Sequence, residues 1–183
     1  MADFYKKRFE VSLDADSEVL PMMGSKEAIM HISMAFLNPG DKVLIPNPGY
    51  PTYQSVTDLV GATPALYDLE ESNHWFPDFK KLEQLDLSSI KLMWLNYPHM
   101  PTGAAATEDL FAAVVAFAKK HDILVINDNP YAFILSDSPK SILGIPGAKT
   151  HCLELNSLSK TFNMAGWRAK QRLRGVRERV QWR

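Results

Sequence analysis

Residues 123–131, Ile123-Leu124-Val125-Ile126-Asn127-Asp128-Asn129-Pro130-Tyr131, decide the fold. The first four are all β-branched or leucine, with no alternation of polar and apolar positions. Such a strand is expected to be buried on both faces, as in parallel sheets covered by helices. The polar residues that follow mark its end. Asp128, leaving so apolar a run, is poorly hydrated and calls for a cationic partner or good donors. The plainer alternative is an aspartate that only shapes the turn.

The pattern repeats outward in both directions. Short apolar runs at residues 19–23, 42–45, 63–67, 90–95 and 151–155 read as further strands, separated by helical segments. Ser25 is placed to cap a helix running to about Leu37, stopped by Asn38-Pro39-Gly40. Residues 52–60 make a short helix, and 79–84 a helical turn or two. The clearest helix opens at Thr107 with Glu108 and Asp109 and closes on Lys119, Lys120 and His121, charges that suit its dipole. This alternation predicts an α/β fold, a three-layer sandwich with a mostly parallel sheet flanked by helices.

A chain of 183 residues, 46% hydrophobic and 22% charged, is long enough for one domain with a real core. No apolar stretch reaches membrane-spanning length, and the N-terminal residues lack the pattern of a secretory signal. Cys152 is the single cysteine, which excludes an internal disulfide and fits a reducing compartment. A cytoplasmic location is therefore expected, with no membrane partner. The histidines at 31, 74, 99, 121 and 151 are scattered without ligand spacing, so no metal site is expected. Net charge is −1, but residues 169–183 alone carry +5. That basic end is either a contact for a polyanion or a solvated tail. It lacks the interleaved aromatics of a stacking platform, so the solvated tail is the expectation and nucleic acid is not an expected partner.

Polar and glycine-bearing segments gather just after the strands, at the edge where open parallel sheets bind ligands. Gly24-Ser25-Lys26-Glu27 starts a helix and is either an anion site or an ordinary cap. Asn47-Pro48-Gly49-Tyr50-Pro51 is a stiff turn that either presents Tyr50 for ring stacking or packs Tyr50 and Tyr53 beneath it. Ser157-Leu158-Ser159-Lys160 follows the last strand, with Arg168 eight positions beyond the lysine. An amine set among hydroxyls can condense with an aldehyde, and the hydroxyls and a cation can hold an attached phosphate. The competing reading is a solvated turn.

In this order, and together with Pro101-Thr102-Gly103, Asp128-Asn129-Pro130-Tyr131 and Gly166-Trp167-Arg168, these segments resemble the class I/II aminotransferases, pyridoxal-phosphate enzymes of fold type I. The resemblance runs from about residue 19 to 168. It implies that residues 1–168 are a partial pyridoxal-phosphate-binding large domain, missing family segments at both ends. Pyridoxal 5'-phosphate would be the cofactor, and an amino acid and a 2-oxo acid the substrates. By the same resemblance Lys160 forms the internal aldimine and shuttles the substrate α-proton. Asp128 pairs with the pyridine nitrogen, Tyr131 donates to the phenolic oxygen, and Tyr50 stacks on the ring. Ser25, Lys26 through its backbone, Ser157 and Arg168 hold the phosphate. The family is homodimeric. Related folds also carry lyase and decarboxylase chemistry, which stands as an alternative, as does a fragment without catalysis.

Two departures from the family pattern carry expectations. Met100 stands where the family has an asparagine that helps hold the phenolic oxygen, and a thioether cannot donate. After Arg168 the family continues with an apolar strand inside the sheet, whereas Ala169-Lys170-Gln171-Arg172-Leu173-Arg174 is charged. Burying unpaired cations is costly. Residues 169–183 are therefore expected to stay out of the sheet as a basic tail, and activity of this chain alone is expected to be weak or absent.

Overall fold

In a computed structural model that describes residues 1–167 and 170–174, seven strands form a single sheet. They are β1 (Val19–Met22), β2 (Lys42–Asn47), β3 (Thr63–Asp68), β4 (Ile90–Leu95), β5 (Leu124–Asn129), β6 (Cys152–Ser157) and β7 (Lys170–Arg174). Their order is β1-β7-β6-β5-β4-β2-β3. From β6 across to β3 every pairing is parallel, while β7 runs antiparallel to both of its neighbours. The helices are α1 (Ala2–Phe9), α2 (Ser25–Phe36), α3 (Pro51–Leu59), α4 (Phe79–Leu82), α5 (Glu108–His121) and α6 (Leu158–Thr161).

Unalternating strands have a simple structural outcome: successive side chains enter two different cores. Val43, Ile45, Leu92, Trp94 and Ile126 pack on one face with Ile29 and Ile32 of α2 and Val56 of α3. Leu44, Met93, Leu95 and Val125 pack on the other with Phe111, Val114 and Val115 of α5 and Tyr5 of α1. The helices thus form layers on both sides of the sheet, as the sequence pattern requires. Thr107 caps α5, its hydroxyl accepting from the Leu110 N–H at 3.0 Å.

Three differences from the sequence reading matter. Helix α1 has no counterpart in it; Tyr5 of this helix is fully buried, and Phe4 packs against Phe133 and Phe162 at ring separations of 5.3 and 6.1 Å. β6, read from the sequence as an apolar run over residues 151–155, carries the fully buried Glu154. Its carboxylate accepts from the Tyr5 hydroxyl (2.7 Å), the Ser141 hydroxyl (2.8 Å), the Ile142 N–H (3.1 Å) and the Asn127 amide (3.1 Å). Burial pushes its pKa up, against the opposing pull of these donors.

The third difference is a correction. Residues 170–174 do enter the sheet, with Lys170 to Leu173 paired to β1 and Lys170 to Arg174 paired to β6. A strand in that position satisfies the backbone groups of two neighbours at once, and this backbone requirement overrides the charge pattern that argued for exclusion. Residue 169 and residues 175–183 of the expected tail lie outside the described residues. Among the described residues no helix is long and apolar enough to cross a membrane.

Candidate active site

The carboxyl ends of the parallel strands surround a cavity of about 470 Å³, within the range of small-molecule sites. Ser25, Lys26, Tyr50, Asp128, Tyr131, Ser157 and Lys160 all line it. Seven of the eight residues singled out in the sequence therefore meet in one place; the eighth, Arg168, lies outside the described residues.

Each wall has a local cause. Gly24 sits at φ 125°, a conformation that side chains resist, and leads directly into α2. No side chain caps that helix start, and the Glu27 carboxylate reaches back past it to accept from the Met23 N–H at 2.6 Å. The first turn of α2 thus brings backbone donors and the positive end of the dipole to the cavity. On the next wall, a Cβ at Gly49 would lie 2.2 Å from the Pro46 carbonyl oxygen, so only glycine permits the turn after β2. Pro51 then starts α3 and leaves Tyr50, half-buried, at the cap position.

Asp128 is 3% exposed, the penultimate residue of β5. Its Oδ2 accepts from the Tyr53 hydroxyl at 3.2 Å, and its backbone carbonyl accepts from the Asn96 side-chain amide at 2.6 Å. Asn96 in turn accepts from the Met100 N–H at 3.0 Å, which fixes the turn after β4 against β5. Met100 is 42% exposed and lines the cavity. Behind it, burial holds the His99 imidazole neutral, its pKa lowered to about 4, while Nδ1 lies 2.8 Å from the Thr102 hydroxyl. Ser157 ends β6, buried, and one turn later Lys160 of α6 stands exposed at the cavity.

Tyr53 is the lining residue whose place at the site sequence reasoning leaves open. It is fully buried yet forms part of the cavity wall. A signal for it is present: in a helix beginning at Pro51, Tyr53 and Val56 share the inward face. Asn96 has no such local signal, because its partner on β5 is distant in sequence.

The sequence profile of the family described as Aminotransferase class I and II matches residues 1–169. The chain belongs to this family. Its aminotransferases use pyridoxal 5'-phosphate. Similar curated proteins are the LL-diaminopimelate aminotransferases of Aquifex aeolicus, 43% identical over 170 residues, and of Dehalococcoides mccartyi strain 195, 46% identical over 170 residues. In both cases the match covers 92% of this chain and 44% of the relative, so the aminotransferase-family chain spans less than half the length of these proteins. Among solved structures, apo-BacF from Bacillus subtilis is 43% identical with a TM-score of 0.90, covering 94% of this chain and 44% of that one. A probable N-succinyldiaminopimelate aminotransferase from Thermus thermophilus is 35% identical with a TM-score of 0.88, covering 94% of this chain and 46% of that one. The fold is accordingly that of the fold type I aminotransferase large domain, in part.

Proposed function

We propose that this chain binds pyridoxal 5'-phosphate in the cavity at the strand ends and serves amino-group transfer between an amino acid and a 2-oxo acid. The observation that carries this reading is the convergence of an exposed amine, Lys160, a buried carboxylate, Asp128, and an uncapped helix start at Ser25 on one 470 Å³ cavity. Those three groups suit an aldehyde, a protonated pyridine and a phosphate. When bound, the cofactor supplies an electron sink.

The chain's own residues have separable tasks. Lys160 Nζ would hold the cofactor's aldehyde carbon and would serve as the base for the substrate α-proton. Asp128 keeps the pyridine nitrogen protonated. Tyr50 covers one ring face, and Tyr131 donates to the phenolic oxygen. Ser25, the Lys26 N–H, Ser157 and Arg168 hold the phosphate, the helix start adding its dipole. Met100 contributes no donor, so the phenolic oxygen depends more heavily on Tyr131.

The similarity to enzymes named LL-diaminopimelate aminotransferase makes LL-diaminopimelate with 2-oxoglutarate the first substrate pair to test. The working state in this reading is a cytoplasmic homodimer. Met100, which offers no side-chain donor at the cavity wall, favours a second reading in which the chain holds the cofactor but turns over slowly or not at all.

Absorption spectroscopy tests the proposal. The folded chain mixed with pyridoxal phosphate is expected to gain the visible band of lysine-bound cofactor, and Lys160→Ala to lose it. A folded chain with no such band overturns the reading. Amino transfer by the same sample separates the two versions, with very low turnover expected, and sedimentation reports the oligomeric state.

A further inference from the structure

We infer that Tyr53 is a positioning residue of the cofactor site, holding Asp128 and Tyr50 in register with each other and with the sheet; this rests on the cofactor reading above. Three contacts on one side chain carry it. The Tyr53 hydroxyl donates to Asp128 Oδ2 at 3.2 Å. Its ring makes a T-shaped contact with Tyr50, centroids 5.6 Å apart and planes at 84°. Its face lies on the indole of Trp94, 4.9 Å away and 6° from parallel.

Trp94 fixes the frame of reference. It is fully buried on β4, which is held between β2 and β5. A ring stacked flat on it has little freedom to tilt. The helix that carries Tyr53 is secured as well: the Thr57 hydroxyl donates to the Tyr53 carbonyl at 2.8 Å, and both residues are fully buried. Tyr53 therefore transfers the position of the central sheet to two groups assigned to the cofactor ring, one at its edge and one at its face. Burial and the neighbouring carboxylate push the Tyr53 pKa well up, so the hydroxyl keeps its proton and acts on Asp128 only as a donor.

A hydroxyl donating to a carboxylate stabilises the ionised form, the form that pairs with a protonated pyridine nitrogen. Tyr53 acts on that nitrogen through Asp128 and does not itself perform chemistry. Packing alone would make a different prediction, since a purely space-filling tyrosine is indifferent to what atom occupies the ring position facing Asp128.

The test compares two cofactors on two proteins. Binding of pyridoxal phosphate, and of its analogue with carbon in place of the ring nitrogen, is measured on the full chain and on Tyr53→Phe, which keeps the stacked ring and removes only the hydroxyl. Near-ultraviolet circular dichroism checks that the ring packing is retained. Tyr53→Phe is expected to weaken pyridoxal phosphate binding about tenfold, the low end for a hydrogen bond to a charged group because 3.2 Å is long for such a bond. Binding of the carbon analogue is expected to be unchanged, and adding Tyr53→Phe to Asp128→Asn is expected to cost nothing further. Equal weakening for both cofactors, or none for either, overturns the inference while leaving the cofactor reading intact. A wild-type chain that binds neither cofactor overturns both.

Discussion

Two carboxylates are buried on adjacent strands, and their surroundings differ in kind. Glu154 of β6 faces the α1 and α5 side of the sheet and is enclosed by four donors of the protein's own. Asp128 of β5 stands at the strand end, beside Tyr53, on the wall of an open cavity. The first arrangement joins three elements and leaves no room for a ligand. The second meets a space large enough for one. Burial of a charge is thus not in itself a sign of chemistry; what distinguishes the two is that Asp128 borders the cavity.

The largest expected effect tests the closed carboxylate. Glu154→Ala orphans the Tyr5, Ser141, Asn127 and Ile142 donors together, and each buried donor left unpaired costs about 1–3 kcal/mol. Chemical denaturation is expected to show a loss of about 3 kcal/mol or more, with cofactor binding retained in whatever fraction remains folded. The mirror experiment is Asp128→Asn, expected to weaken pyridoxal phosphate binding about tenfold or more while changing folding stability by less than about 1 kcal/mol. Should Asp128→Asn instead unfold the chain, the two carboxylates would be alike after all.

Smaller effects concern pH. The Glu154 pKa is raised in the fold above its ordinary 4.5, so the folded state holds that proton more tightly than the unfolded chain. Its contribution to stability is complete at low pH and is lost as pH rises through the folded value. Glu154→Gln should flatten the wild-type decline in denaturation midpoint above pH 4.5. His99 has the opposite sign. Its folded pKa of about 4 lies below the ordinary 6.5, so stability present above pH 6.5 is lost as pH falls toward 4. His99→Asn is expected to show a shallower loss of melting temperature over that window than the wild type; parallel curves would remove His99 from the acid response.

The strands are legible because their apolar runs are short and bounded by turn residues. The run 90–95 coincides with β4 at both ends, and 42–45 stops two residues before the observed end of β2. The apolar run of the fifth strand ends at Ile126 because Asn127 and Asp128 look like a turn, yet parallel pairing to β6 carries the strand through Asn129. The two least legible elements are α1 and β7. Helix α1 begins among charged residues, and its value lies in contacts more than a hundred residues away, such as Tyr5 to Glu154. β7 is specified by the backbone needs of its neighbours more than by its own composition. At the site, the residues that form local motifs are readable, because turns and caps have local rules. Tyr53 and Asn96 act through partners on other strands, and single-sequence periodicity does not encode those pairings.

The aromatic contacts of α1 bear on how the cavity would respond to change. Phe4 touches Phe133, two residues after Tyr131, and Phe162, two residues after Lys160. The loops carrying the phenol and the amine consequently rest on one shared ring from the beginning of the chain. Removing that ring, as in Phe4→Ala, would loosen both loops in concert, so the two ends of the cavity would lose their alignment as a single correlated event.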